Sequence, residues 1–157
     1  MAHLDIKYNK ALSPAILVLG LAYLFIGFVS IVNWCIGLAD LGQQFCPDLI
    51  PSNLGFALVA LTIGASLIAS TYYSLRGDVV MHLASAACGT WLAVGALVIQ
   101  VIVTIALVLD AIVVGEEVGY SIISENLLRM DVILGGVILP ITIPYTLMLR
   151  KITKQSK

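Results

Sequence analysis

Four long apolar stretches alternate with short polar connections, and the charges sort themselves by connection. Of the 8 lysines and arginines, all but Arg129 fall before the first stretch, between the second and third, or after the fourth. They are Lys7, Lys10, Arg76, Arg150, Lys151, Lys154 and Lys157. The other two connections hold Asp40, Asp48, Asp110, Glu116, Glu117, Glu125 and Asp131, which are seven of the 9 carboxylates. Cytoplasmic loops of membrane proteins carry the excess of Lys and Arg. The pattern predicts an all-α integral membrane protein, a four-transmembrane-helix up-down bundle with both termini cytoplasmic.

The spans are expected at about 14–37, 53–73, 79–109 and 132–149, within a single membrane domain covering 1–157. Pro14 suits a first helical turn, where its missing N–H would have had no helical partner, and Ser13 suits the N-cap. Trp34, Tyr72 and Tyr73 suit headgroup layers. The third stretch measures about 46 Å as a helix against a hydrocarbon core of about 30 Å, so it must tilt, kink or project. The fourth is only just long enough to cross, and 150–157 reads as a basic tail. Between the last two spans, 111–130 reads either as an amphipathic helix lying on the outer surface or as an extension of the third helix. Runs of this length without period-two alternation exclude a barrel, the other structure that satisfies its backbone in lipid.

Composition narrows the function classes. The chain is 61% hydrophobic and 11% charged, too few charges to cover a soluble surface. No basic run with interleaved aromatics points to nucleic acid. The first stretch is too long for a signal-peptide core and reads as a retained span. The partners implied are the lipid bilayer and either other membrane subunits or further copies of the chain. A multi-pass protein of the cell membrane is the expected setting.

Candidate sites are few, and each has a plainer reading. Cys35 and Cys46 flank the first outer connection, where a disulfide would close a loop of about a dozen residues and stabilise by about 3 kcal/mol; the plainer reading is two unpaired thiols. Ala65 with Ala69 and Ser66 with Ser70 on the second helix, and Ser85, Gly89 and Ala93 on the third, repeat at four-residue spacing. Such small faces let helices approach closely in lipid. They predict packing of the second helix on the third, or a subunit interface. Thr62, Ser66, Gln100 and Thr104 would form a polar lining if a solute path exists; otherwise Gln100 makes one interhelical hydrogen bond. His82, one turn into the third helix, lacks the companions for a metal or haem site and predicts interfacial hydrogen bonding. Asp110 and Asp131 are read as solvated helix ends, with cation binding or pairing to Arg129 as the sharper options. Pro140 and Pro144 predict a kink in the fourth helix. No nucleophile–base pair, phosphate loop or intramembrane carboxylate pair appears, so no enzyme, cofactor or metal is expected.

From Ala65 to Trp91, under a fifth of the chain, the sequence resembles the acetate/succinate transporter family of six-helix membrane proteins. The matching residues are the basic turn Arg76-Gly77-Asp78 and the element Cys88-Gly89-Thr90-Trp91. The resemblance implies a small-solute pathway. The family's Asn-Pro-Ala-Pro entry and two of its spans are missing here, so no membership is assigned. The expectation is a non-enzymatic accessory or structural subunit of a larger membrane assembly. The alternative is an oligomeric channel or transporter for a small solute, and the weakest reading is a redox subunit using His82 or the cysteines.

Overall fold

The computed structural model describes residues 12–40, 42–115 and 126–155. It is all-helical, with no strand among these residues, and four helices are long and apolar enough to cross a membrane. They are α1 (Leu12–Ala39), α2 (Leu54–Leu75), α3 (Val79–Val114) and α4 (Met130–Gln155). Half of the expected surface segment, residues 116–125, lies outside the described residues, as do Lys7, Lys10 and Lys157.

The ends of α2 and α3 follow from local chemistry. Asn53 accepts a hydrogen bond from Phe56 N at 3.1 Å and so caps α2. Asp78 does the same for α3 through Met81 N at 3.0 Å. Between the two helices, Gly77 adopts φ 75°, which costs glycine nothing and would strain a residue bearing a Cβ. Arg76 lies 4.5 Å over the Tyr72 ring, holding its charge at the turn. α4 is a single helix through Pro140 and Pro144 and continues past Arg150, Lys151 and Lys154, so the expected tail is helical as far as Gln155. Cations in that last turn complement the helix dipole.

Each helix buries a narrow stripe that repeats every seven residues. On α1 it holds Ile16, Tyr23 and Ser30, with Leu19, Ile26 and Asn33 between them. On α3 it holds Ala86, Ala93 and Gln100, with Thr90 and Thr104 between. On α4 it holds Asp131, Ile138 and Tyr145, with Gly135 and Thr142 between. A seven-residue repeat keeps one seam in register along a slightly supercoiled pair of helices. The helices pack in chain order, α1 on α2, α2 on α3 and α3 on α4, while α1 and α4 barely touch.

The tightest seam is α1 with α2. A Cβ built on Gly64 would stand 2.8 Å from Gly20 O, Leu24 N and Leu24 Cγ, two of them backbone atoms. A Cβ on Gly27 would stand 2.9 Å from Leu61 Cγ and 3.1 Å from the carbonyl oxygen of Ala57. In lipid, where burial alone does not draw helices together, such glycines allow the close approach that supplies dispersion contacts. This seam was not among the expected small-residue faces. Of those, Ser66, Ser70, Gly89 and Ala93 do enter packing, Gly89 lying directly against Leu67 and Ser66. Ala65 is exposed, and Ser85 and Ala69 are half-buried.

Candidate functional site

Two polar clusters occupy opposite ends of the helices. At the inner end, Nδ1 of His82 lies 2.8 Å from the carbonyl oxygen of Ser70 and 2.9 Å from its hydroxyl. A carbonyl only accepts, so Nδ1 carries the hydrogen and donates it to Ser70 O. That protonation removes Nδ1 as a base for the serine. Ser70 is also completely buried, with no room for a substrate beside its hydroxyl. The pair ties α2 to α3, and the His82 ring meets Tyr145 of α4 edge to face at 5.7 Å. The interfacial role expected for His82 is the one its contacts describe.

The outer cluster is richer and was only partly anticipated. Asn33 of α1 donates from Nδ2 to Phe45 O at 2.9 Å and accepts from Phe45 N at 2.8 Å. Ser30 donates to Pro51 O at 2.6 Å. These bonds hold the first outer connection, the segment expected to be closed by a disulfide; Cys35 and Cys46 are free, exposed thiols here. The connection in turn reaches α4, where Met130 N donates to Leu49 O at 3.2 Å.

Beside it, Arg129 grips Asp131 with two parallel bonds, Nε to Oδ1 and Nη2 to Oδ2, both 3.2 Å. The Asp131 side chain is 7% exposed and that of Arg129 20%. The guanidinium also lies 5.6 Å from the centre of the Phe56 ring. Of the options for Asp131, pairing with Arg129 is the arrangement present, whereas Asp110 is exposed. Gln100 donates to Asn126 Oδ1 at 3.4 Å. A cavity of about 350 Å³ lies between these groups, lined by Asn53, Phe56, Val59, Ala96, Ile99, Gln100, Val103, Arg129 and Asp131.

The bond to Asn126 sets the height of Gln100 relative to α4. Val79 to Gln100 spans about 32 Å, roughly one hydrocarbon thickness. Gln100 is level with the residues leading into α4. The stretch from Val101 to Val114 continues about 21 Å past that level. α3 is one continuous helix from Val79 to Val114.

The expected polar lining is not assembled into one surface. Thr62 is exposed and donates to Leu58 O of its own helix. Thr104 donates to Gln100 O, and only Gln100 of the set faces the outer cavity. Thr142, a candidate partner for the carbonyls freed by Pro140 and Pro144, donates to Ile138 O, one turn back on its own helix. Trp91 donates to Thr146 at 3.0 Å across α3 and α4, a tie that its lipid-facing position gave no reason to expect. Among the described residues no group of His, Cys, Asp and Glu is placed to hold a metal.

No family model matches the chain, and no curated protein or solved structure matches it. The likeness of 65–91 to the acetate/succinate transporters therefore gains no support, and the helices define a class and no more: a multi-pass, all-helical protein suited to a membrane.

Proposed function

We propose that the chain is a non-enzymatic accessory subunit of a multi-subunit membrane assembly. It threads the cell membrane as an up-down bundle, with both termini on the cytoplasmic, cation-rich face. One observation carries the subunit reading: α3 keeps an apolar surface beyond the polar level that ends its neighbours. Ile102, Ile105, Leu109, Ile112 and Val113 are each more than half exposed there. Past the bilayer, apolar area on that scale favours burial against another protein. The pairings of Gly20 with Gly64, Ser70 with His82 and Gly135 with Leu97 support the up-down threading.

Purification from native membranes at low detergent tests this. A fixed set of partner proteins is expected with the wild type, and Ile105→Asn together with Ile112→Asn should release them while the bundle stays folded. A lone homo-oligomer that carries solute flux in liposomes, lost on Gln100→Leu, would replace this reading with the channel or transporter. That alternative draws on Gln100 and the outer cavity. Of its other expected lining residues, Thr62 and Thr104 bond to their own helices. Threading is tested on sealed vesicles, where a membrane-impermeant maleimide should label Cys35 and Cys46 from the side opposite a C-terminal tag.

A further inference from the structure

The outer cavity has a direction. Asn53, Gln100, Arg129 and Asp131 stand at the outer end of its walls. Inward of them, Ala96 lies one helical turn below Gln100, and Val59 follows Asn53 by more than a turn. The walls thus pass from ionic to purely apolar over about 6–9 Å of helix. At and inward of the level of Gln100, the side facing away from the bundle is rimmed by Val59 and Ile99, which are 43% and 64% exposed. In a bilayer that rim faces lipid, so entry is lateral. An amphiphile lying in the outer leaflet has the matching profile, polar at the end of Asn53 and Arg129 and apolar toward Ala96 and Val59.

The charges specify the amphiphile further. Arg129 spends Nε and Nη2 on Asp131, leaving Nη1 without a protein partner among the described residues. Gln100 spends its amide nitrogen on Asn126 in a long bond, and its side chain still lines the cavity. The Arg129–Asp131 pair is net neutral yet strongly dipolar, which suits a ligand carrying both signs over a purely anionic one. A phosphate meets the open edge of the guanidinium, and an ammonium beside it meets the Asp131 carboxylate.

We propose that this cavity binds one zwitterionic phospholipid of the outer leaflet, its headgroup on Arg129, Asp131 and Gln100 and one chain running inward past Ala96, Val59 and Ile99. The site does not depend on the subunit reading, since the tests of the two use different residues and different readouts.

The test uses the full-length protein, delipidated in detergent, with lipid retention read by native mass spectrometry and thermal stability alongside. Phosphatidylethanolamine should be retained at one per chain and should raise Tm. Diacylglycerol with the same chains, and phosphoethanolamine without chains, should do neither. Arg129→Gln removes the charged contact and should lower retention at least about tenfold, the equivalent of one hydrogen bond to a charged group. Ala96→Phe fills the inner end, leaves every charge in place and should lower retention comparably, so the test stands even if the arginine variant does not fold. Equal retention of phosphatidylethanolamine and diacylglycerol would mean unspecific annular lipid. A Tm rise with phosphoethanolamine as large as with the lipid would mean a site for a soluble solute. Either result, or retention unchanged in Ala96→Phe, overturns the proposal.

Discussion

The α1–α2 seam and the outer part of α3 are built from nearly the same apolar side chains, yet one is the most closely packed part of the molecule and the other the least covered. In water, burial would have drawn the more hydrophobic segment inside. In lipid it does not, because the solvent is as apolar as the side chains. The difference comes from glycine. Gly20, Gly27 and Gly64 let two backbones meet, whereas nothing between Val101 and Val114 is small enough for that except Ala106 and Ala111. Hydrophobicity decides which segments enter the membrane, and side-chain volume decides which helices touch.

The comparison breaks first at Gly64. Gly64→Val drives a branched side chain into the backbone of Gly20 and Leu24, and a loss of about 3 kcal/mol is expected, at the upper end for overpacking. Thermal unfolding in detergent reads it; an unchanged Tm would mean that the seam is not closed as described. Asn33→Ala follows, because it leaves both backbone groups of Phe45 without their partner. About 2 kcal/mol should be lost, and limited proteolysis should then cut between Gly42 and Leu49, which the wild type resists.

A smaller effect of opposite sign is expected at Tyr23, whose hydroxyl is buried within the α1 stripe with no hydrogen-bond partner among the described residues. Tyr23→Phe removes an unsatisfied donor and should raise stability by about 1 kcal/mol. A drop in Tm would show that the hydroxyl is paired after all. Least of all, Gly95→Ala should move stability by less than about 0.5 kcal/mol, because a Cβ there meets nothing within 4 Å. Set beside Gly89→Ala, where the Cβ comes within 2.9 Å of Leu67 Cδ2, it separates glycines that make a seam from glycines that merely face lipid.

The spans were legible to within a few residues at most ends because hydropathy over a long window reports the cost of leaving the bilayer. The caps were partly legible too: Asn53 was read as the start of the second span and serves as its cap. The rotation of each helix about its axis was much less so. α1 is apolar almost all round, and such a helix offers no polar face to mark its outside. The seven-residue spacing of Gly20 and Gly27 was the available signal, whereas the expected small-residue faces lay on α2 and α3. The outer site was missed for a related reason. Asn53, Gln100, Arg129 and Asp131 come from three separate stretches, and their convergence depends on how far α3 outruns α4.

The sequence alone determined that the chain holds four helices long and apolar enough to cross a membrane, and where most of their ends fall to within a few residues. Transfer free energy is a sum over residues, so order in the chain suffices to compute it. Only the tertiary structure decided which stripes are buried, that Gln100 stands level with Asn126, and that Arg129, Asp131 and Gln100 share one cavity. Those outcomes depend on axial rotation and relative height of packed helices, which are fixed by contacts between residues far apart in the chain.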